Sequence, residues 1–326
     1  YNAPLFRIIT VMILVLGLGL TGWSIVRFLA SRGEAICVVD SREAPPYFAQ
    51  CRARFPHVGV ITGGLPVSAL EGVTQIVVSP GLDLREPLLL EAQARGIPFY
   101  GDIELFARHA KAPVIGITGS NGKSTVTTLV GEMGLACGKK TAVGGNLGTP
   151  ALDLLGDDVE LYVLELSSFQ LELTHSLQCI AATVLNISPD HIDRHGSVEH
   201  YADVKASIWR GAQHVIANAE DAMVMARTLR PLPPAGEYVA LKTFSTTANA
   251  DYGYDNTTRT LHAHSEPLLT AGDLKVVGRH NIANCLAAYA LGEAAGLPKA
   301  GMIAALQAFT GLPHRCQWVA QKNGVT

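Results

Sequence analysis

The stretch GITGSNGKSTVTTLVGEMG, residues 116–134, constrains the fold of this chain more than any other segment. A β-branched run, VIGIT, leads through small residues into Gly-Lys-Ser and a helical pattern, an order typical of a phosphate-binding loop. The usual spacing places a glycine five positions before the Gly-Lys pair, but Ile117 stands there, and the glycines are Gly116 and Gly119. The segment therefore predicts a variant nucleotide-binding loop within an α/β domain.

The residue types of this loop suit ATP and Mg²⁺. Gly119 and Gly122 let backbone N–H groups approach phosphate oxygens, and the helix expected to begin at Lys123 adds its positive end. Lys123 supplies a mobile charge for the β and γ phosphates, and Ser124 offers a hydroxyl to Mg²⁺. A glycine turn with an incidental lysine is the alternative. The predicted ATP-binding residues of the loop are Gly119, Ser120, Asn121, Gly122, Lys123, Ser124 and Thr125.

Composition narrows the class of protein. The chain has 326 residues, of which 48% are hydrophobic and 16% charged, enough for two domains with substantial cores. The formal net charge is only -3 and no basic block is present, which argues against a nucleic-acid partner and favours small-molecule substrates. Six widely spaced cysteines without a C-x-x-C pair favour a reducing cytoplasm. The apolar run at residues 9–20 is too short to span a bilayer and predicts a buried parallel strand.

The first hundred residues predict a doubly wound α/β unit. The runs VMILVLG, AICVVD and QIVVSPG are strand-like, and TGWSIVRFLASRG and EPLLLEAQARG carry helical spacing. Gly17-x-Gly19-x-x-Gly22 lies between a strand and a helix, and Asp40 closes the next strand. This arrangement can bind a nucleotide diphosphate at a helix N-terminus, but a structural turn, a dinucleotide site and another nucleotide site all remain open.

A second α/β unit is expected from Gly101. Predicted strands are TAVGGN, ELYVLELS, AATVLNIS and HVIANAE, followed by hairpins between about 237 and 277 and a helix over residues 281–295. The predicted fold is thus an N-terminal Rossmann-like doubly wound domain, residues 1–100, followed by a P-loop-type ATP-binding α/β domain, residues 101–312.

Candidate metal ligands follow two of these strands. Glu165 ends one strand, and the next is followed by Asp190, His191, Asp193 and His195. We expect a glutamate and a histidine at neighbouring strand ends to hold a divalent cation, with Lys205 on a helix nearby. Each residue also has a simpler explanation, because Glu165 could cap a turn, His195 could be a solvated loop residue and Lys205 could be an ordinary exposed lysine.

Several long motifs together resemble one family. The segments GITGSNGKST, GGNLGTP, LELSSFQLE, NISPDHIDRHGS, YADVK, GRHNIANCLAA and GLPHR closely resemble the Mur ligases of bacterial peptidoglycan synthesis, in which the shifted glycine is the family's own version of the loop. LELSSFQLE and GLGLTG are most similar to the members that join D-glutamate to UDP-N-acetylmuramoyl-L-alanine. The resemblance implies that ATP phosphorylates the substrate carboxylate and that the amine of D-glutamate then attacks the acyl phosphate.

The resemblance also assigns roles to residues of this chain. It implies that Lys123, Glu165, His191 and Lys205 are catalytic, that Lys205 is carbamoylated, and that Mg²⁺ is held by Ser124, Glu165, His191 and Lys205. It places Asn281 and Asn284 around the adenine and Arg315 near the nucleotide. The implied contacts to the uridine-linked substrate are Leu20, Thr21, Asp40, Ser41, Arg42, Gly81, Asn146 and His191.

The family carries a third domain after GLPHR, so residues 313–326 are expected to be its start. On that basis the 326-residue chain should bind the uridine substrate without forming the amide at a useful rate. A cytoplasmic, monomeric enzyme is expected. Three other functions stay open: another Mur ligase specificity, an NAD-dependent dehydrogenase using the first domain, and a non-catalytic nucleotide-sensing module using the second.

Overall fold

The chain forms two compact units, Tyr1–Phe106 and Ala107–Thr326. A computed structural model describes residues 12–228, 240–247 and 249–312. The predictions for Arg315, for residues 313–326 and for the first residues of the apolar run at 9–11 lie outside these ranges. Within the described residues, no helix is both long and apolar enough to cross a membrane.

Over its described residues, from 12 onward, the first unit contains a parallel five-stranded sheet in the order β3-β2-β1-β4-β5. Its strands are β1 (Met12–Leu16), β2 (Ala35–Asp40), β3 (Gly59–Thr62), β4 (Val73–Val78) and β5 (Phe99–Gly101). Its helices are α1 (Leu20–Ala30), α2 (Phe48–Arg54), α3 (Pro87–Ala94) and α4 (Asp102–Ala107). The predicted α/β class and the predicted strands β1, β2 and β4 are confirmed. Strand β3 was not predicted, because its residues are exposed or half-buried and therefore form no apolar signal.

Burial explains why these segments form the sheet. Residues 13–16 of β1 are fully buried, and the last three residues of β2 and of β4 are buried as well. Parallel strands covered on both faces are expected to read as continuous β-branched runs. Because β2 and β4 flank β1, the chain reverses its winding direction beside β1, and the carboxyl ends of these strands open a crevice there.

In the part of the second unit that the structure describes, nine strands form one sheet in the order β14-β13-β12-β11-β10-β9-β6-β8-β7. Its strands are β6 (Val114–Thr118), β7 (Thr141–Gly145), β8 (Leu161–Glu165), β9 (Ala181–Val184), β10 (His214–Asn218), β11 (Ala240–Ser245), β12 (Tyr252–Asp255), β13 (Thr260–Ala263) and β14 (Glu266–Thr270). Its helices are α5 (Lys123–Ala136), α6 (Ser168–Leu171), α7 (Ile192–His195), α8 (Val198–Ala206), α9 (Ala222–Thr228), α10 (Arg279–Ala294) and α11 (Lys299–Ala308).

Strands β6 to β12 pair in parallel, and β12, β13 and β14 form the predicted antiparallel hairpins. The core joins α5, α10 and α11 to the sheet, and residues such as Val130, Leu286 and Phe244 are almost completely buried in it. The long helix predicted over residues 281–295 is α10, which begins at Arg279, two residues before the predicted start, and α5 begins at Lys123 as predicted.

The glycine turn after β1 allows a close approach that a side chain would prevent. A Cβ added to Gly22, in the first turn of α1, would collide with the carbonyl group of Gly17, 2.7 Å from its carbon atom. The obstacle is backbone, so α1 or the turn would have to move. Gly64 has nothing within 4 Å of an added Cβ.

We predict that Gly22→Ala lowers the free energy of unfolding by about 1–3 kcal/mol, because overpacking outweighs the gain in helix propensity. Gly64→Ala should leave the free energy of unfolding nearly unchanged. Urea unfolding followed by tryptophan fluorescence, to which the buried Trp23 of α1 contributes, measures both variants. Equal midpoints for the two variants would show that α1 has room for the extra methyl group.

Candidate functional site

The loop after β6 is tied to the residues that follow β9. The Ser120 N–H donates to the Asn186 carbonyl at 2.9 Å, and the Asn121 N–H donates to the Asn186 side-chain oxygen at 2.8 Å. The Asn186 amide donates back to the Asn121 carbonyl at 3.0 Å. Asn186 received no individual role from the sequence, although its place just beyond a buried strand was a usable signal. These bonds define the loop's path into α5.

Gly122 ends the loop with a left-handed backbone, φ +83°, and an added Cβ would lie 2.7 Å from the Asn284 side-chain oxygen. Asn284 of α10 therefore packs directly on the loop. A cleft of about 460 Å³ adjoins this contact. It brings together the predicted residues Asn121, Gly122, Thr125, Asn281 and Asn284 with the unpredicted residues Leu185, Asn186, Asn218, Phe244, His280 and Ala283.

Two lysines converge on one carbonyl oxygen of the loop. The Nζ of Lys123 donates to the Gly119 carbonyl at 2.9 Å and to the Ser120 carbonyl at 3.0 Å. The Nζ of Lys205 donates to the same Gly119 carbonyl at 3.0 Å. Burial and the neighbouring Lys123 ammonium lower the pKa of Lys205 to about 7. The two ammonium groups place positive charge at the loop, which suits a bound phosphate. Without such an anion, burial and the charge of Lys123 favour the neutral form of Lys205.

Lys205 is a buried residue, with 2% of its surface exposed, so the alternative of an ordinary exposed lysine is wrong. Its Nζ lies 4.7 Å from the centre of the Tyr201 ring and 3.4 Å from the Thr118 hydroxyl. The Tyr201 hydroxyl is in turn 3.2 Å from the Ser120 hydroxyl. Tyr201 was not predicted as a site residue. Its contacts with Ser120 and Lys205 connect α8 to the loop.

Glu165 ends β8 with its side chain buried. Its Oε1 accepts a hydrogen bond from the Asn146 side-chain amide at 2.7 Å, which joins two predicted site residues. Its Oε2 is buried and has no hydrogen-bond partner among the described residues. Glu165 is not the cap of the next helix, since Ser167 and Gln170 form that capping box. A buried carboxylate oxygen without a partner is costly unless a cation binds it, so Glu165 fits a metal ligand.

His191 lies on a different side of β6 from Glu165. The prediction of neighbouring strand ends was wrong, because β6 separates β8 from β9 and carries the phosphate loop between them. His191 adopts a left-handed backbone, φ 51°, and its half-exposed ring lies 4.8 Å from the Phe169 ring. Within the described ranges no hydrogen bond joins Glu165 to His191. Phe169 is the contact between the segment after β8 and His191.

The other members of the predicted cluster divide by burial. Asp190 and Asp193 are exposed. His195 is buried, so the alternative of a solvated loop residue is wrong; its Nε2 lies 3.0 Å from the Ser168 hydroxyl, and its ring stacks on Phe169 at 5.6 Å. Burial lowers the pKa of His195.

The first unit has its own cleft, of about 380 Å³, at the carboxyl ends of β1, β2 and β4. It brings together the predicted residues Leu20, Thr21, Asp40, Ser41, Arg42 and Gly81. It also includes Gly17, Gly19, Gly22, Ser79, Pro80 and Leu82. The cleft lies at the point where the winding of the sheet reverses, the usual ligand position in such folds.

Asp40 organises this cleft from a buried position. One carboxylate oxygen accepts from the Leu18 N–H and the Arg42 guanidinium, both at 2.6 Å, and the other accepts from the Arg42 backbone and Nε. Burial opposes ionisation of Asp40, but these hydrogen bonds outweigh it and hold its pKa below the usual value. Asp40 therefore fixes the glycine turn and orients the half-exposed Arg42, which supplies positive charge to the cleft.

Both units match known protein domains. Residues 11–101 match the Mur ligase MurD-like N-terminal domain, and residues 117–292 match the Mur ligase middle domain. A UDP-N-acetylmuramoylalanine–D-glutamate ligase from Pseudomonas syringae pv. tomato is 54% identical over 316 residues, which cover 96% of this chain and 69% of that protein. The enzyme of the same name from Nitrosococcus oceani is 51% identical over 328 residues, 99% of this chain and 71% of that protein.

Solved structures share the fold at lower identity. UDP-N-acetylmuramate:L-alanyl-gamma-D-glutamyl-meso-diaminopimelate ligase from Neisseria meningitides gives a TM-score of 0.63 at 15% identity, with 94% of this chain and all of that chain covered. UDP-N-acetylmuramate-alanine ligase from Thermotoga maritima gives a TM-score of 0.57 at 20% identity, with 93% of this chain and 70% of that chain covered. Since the two matched domains contain the two clefts and the sequence identity extends over nearly the whole chain, the protein belongs to the Mur ligase family.

Proposed function

We propose that this protein is an ATP-dependent amide ligase that joins D-glutamate to UDP-N-acetylmuramoyl-L-alanine and releases ADP and phosphate. The observation that carries the ATP-dependent chemistry is the convergence of Lys123 and Lys205 on the Gly119 carbonyl. The choice of substrates is supported by relatives that are 50–54% identical and carry that activity in their names.

The first step activates a carboxylate. An oxygen of the substrate's terminal alanine attacks the γ-phosphorus of ATP, the bond from that phosphorus to ADP breaks, and an acyl phosphate forms. Lys123 would exchange its bonds to the loop carbonyls for bonds to β and γ phosphate oxygens and neutralise the charge that develops there. The N–H groups of the loop and the start of α5 would hold the same phosphates.

The second step forms the amide. The amine of D-glutamate attacks the acyl carbonyl, a carbon–nitrogen bond forms, and the carbon–oxygen bond to phosphate breaks. The amine loses a proton and phosphate departs. The positive charge of Lys123 stabilises the departing phosphate as it stabilised the transferred group, so one loop serves both steps.

Ser124, Glu165, His191 and a modified Lys205 are the residues that we propose to hold Mg²⁺. The unpaired, buried Oε2 of Glu165 supports this set, and Ser124 lies at the first turn of α5 beside the phosphate loop. When bound, Mg²⁺ would supply positive charge that offsets the negative charge of the phosphates. The ion would therefore give electrostatic support to the transfer of the γ-phosphoryl group, while the loop aligns the phosphates.

Lys205 is proposed to react with carbon dioxide. The neutral amine adds to the carbon atom, a carbon–nitrogen bond forms, and one proton leaves, so that the ammonium is replaced by a carbamate anion. Its pKa of about 7 makes the neutral amine available near neutral pH. The product would pair with Lys123 instead of repelling it, and would add negative charge for a cation.

The cleft of the first unit is proposed to bind the uridine diphosphate part of the substrate. Leu20 and Thr21 lie at the start of α1, where the positive helix end suits a diphosphate, and Arg42 adds charge. The engagement of Asp40 with Leu18 and Arg42 supports this assignment over a dinucleotide site, in which the acidic residue binds a ribose. We also propose Arg315 as a nucleotide contact, and a cytoplasmic, monomeric state for the protein.

We predict that Lys123→Ala removes ATP-dependent phosphate release from the full-length protein while leaving affinity for UDP-N-acetylmuramoyl-L-alanine within about 2-fold, since Lys123 belongs to the phosphate loop alone. Loss of its charged hydrogen bonds should weaken ATP binding by about 10- to 100-fold. Lys140→Ala is the control, because Lys140 is exposed and bonded to Asp158.

The measurements are phosphate release with a panel of UDP-muramoyl substrates and amino acids, and calorimetric titration of each ligand. Release should require both UDP-N-acetylmuramoyl-L-alanine and D-glutamate. Preference for another pair would contradict the proposed specificity. Loss of uridine-substrate affinity in Lys123→Ala, with ATP use intact, would contradict the assignment of the two clefts.

We predict that carbon-13 NMR of the 326-residue chain in ¹³C-labelled bicarbonate shows a carbamate signal that Lys205→Ala removes and Lys140→Ala retains. Carbamate formation needs the neutral amine, so the signal should grow as the pH rises through about 7 rather than through the 10.5 of an unperturbed lysine. A chain without the signal, or a signal that persists in Lys205→Ala, would contradict the modification.

A further inference from the structure

Three side chains outside the proposed catalytic set form a cluster in the second unit. One carboxylate oxygen of Glu172 and one ring nitrogen from each of His195 and His200 all lie within 4.8 Å of one another. Glu172 directly follows α6, His195 ends α7, and His200 lies in the first turn of α8. The cluster therefore joins the segment after β8 to the segment after β9.

His195 is the buried member of the cluster, with 5% of its surface exposed. Its Nε2 is held by the Ser168 hydroxyl at 3.0 Å, which fixes the orientation of the ring. Its Nδ1 is also buried and has no hydrogen-bond partner among the described residues. An unsatisfied buried polar atom destabilises the fold, so a bound group that uses Nδ1 would remove that penalty.

Glu172 and His200 form the side of the cluster that faces solvent. One carboxylate oxygen of Glu172 accepts from the Arg194 guanidinium at 2.8 Å, which leaves the other oxygen as a ligand and holds the carboxylate in place. His200 is exposed, and it lines a cleft of about 350 Å³ together with Glu172. This cleft opens Glu172 and His200 to solvent, so a water molecule would complete the coordination of a bound ion from that side.

We propose that Glu172, His195 and His200 bind a transition-metal ion of the Zn²⁺ class at a site separate from the Mg²⁺ ligands proposed above. Two imidazoles and one carboxylate are the donors that zinc accepts, whereas Mg²⁺ prefers oxygen ligands. In the metal-bound form the Nε2–H of His195 would donate to the Ser168 hydroxyl, and the Arg194 guanidinium donates to Glu172; these are the outer contacts that such ligands require. Metal–ligand bonds of 2.0–2.1 Å place tetrahedral ligand atoms about 3.4 Å apart. The three ligand atoms, now within 4.8 Å of one another, would therefore move closer together on binding the ion. The ring of His200 can make this movement because it is exposed.

Metal binding here would act on the segment that presents His191. Phe169 contacts the rings of both His191 and His195, at 4.8 and 5.6 Å. Fixing His195 and His200 to Glu172 would tie α7 and the start of α8 to the residues after α6. The ion would thus stabilise the fold around His191 without contacting the nucleotide. The site does not depend on the proposed ligase activity.

The test is a Zn²⁺ titration of the 326-residue chain, without nucleotide or Mg²⁺, in competition with a chromophoric chelator. The wild-type chain should bind one equivalent that Glu172→Gln, His195→Ala and His200→Ala each weaken by more than about 10-fold. Two controls, His175→Ala and His191→Ala, should retain it. His200→Ala keeps the test valid if His195→Ala fails to fold, because the His200 side chain is exposed.

Two further readings identify the site. Co²⁺ in place of zinc should show the visible absorption of a four-coordinate site with nitrogen and oxygen donors, and Zn²⁺ should raise the unfolding temperature of the wild type but not of His200→Ala. The proposal is overturned if His200→Ala binds zinc as tightly as wild type, if His191→Ala abolishes binding, or if the Co²⁺ spectrum shows thiolate ligands. Displacement of zinc by a modest excess of Mg²⁺ would overturn it as well.

Discussion

The Gly119 carbonyl oxygen accepts hydrogen bonds from two lysines, and the chemistry of the second unit depends on this shared contact. Lys123 reaches the oxygen from the start of α5, and Lys205 reaches it from α8. The ammonium groups of the buried Lys205 and the partly buried Lys123 repel each other at this distance. This repulsion is relieved by anionic phosphate, by deprotonation of Lys205 or by conversion of Lys205 to an anion. The proposed ATP binding and the proposed carbamate both relieve this repulsion.

The first unit uses a buried charge differently. Asp40 satisfies its carboxylate within the protein, by the Leu18 N–H and Arg42, and so converts a negative residue into the support for a positive side chain at the cleft. Gly22 lets α1 approach the turn closely enough for its N-terminus to face the same cleft. Each unit therefore presents positive charge at the carboxyl ends of its strands, which matches the phosphate-containing groups of the proposed substrates.

Local sequence patterns predicted individual strands, loops and helices. They did not predict strand order or side-chain burial, which depend on contacts between residues far apart in the sequence. The strand, loop and helix around Lys123 and the strand end at Glu165 are local, and both were found where expected. The position of β6 between β8 and β9 was not predicted, because strand order across a sheet is set by pairing between remote segments. The burial of Lys205 and His195 follows from packing by Tyr201 and Phe169, for which a single sequence gives no spacing signal.

The most direct test of the proposed ligase is the fate of the substrate's carboxylate oxygen. If ATP phosphorylates that carboxylate, an ¹⁸O label placed in both of its oxygens leaves one labelled atom in the released phosphate and one in the amide carbonyl. Mass spectrometry of the phosphate released by the full-length protein, with D-glutamate present, measures this transfer. The account predicts one ¹⁸O atom in each phosphate; unlabelled phosphate, with amide formed, would contradict the acyl phosphate and the role given to the Lys123 loop.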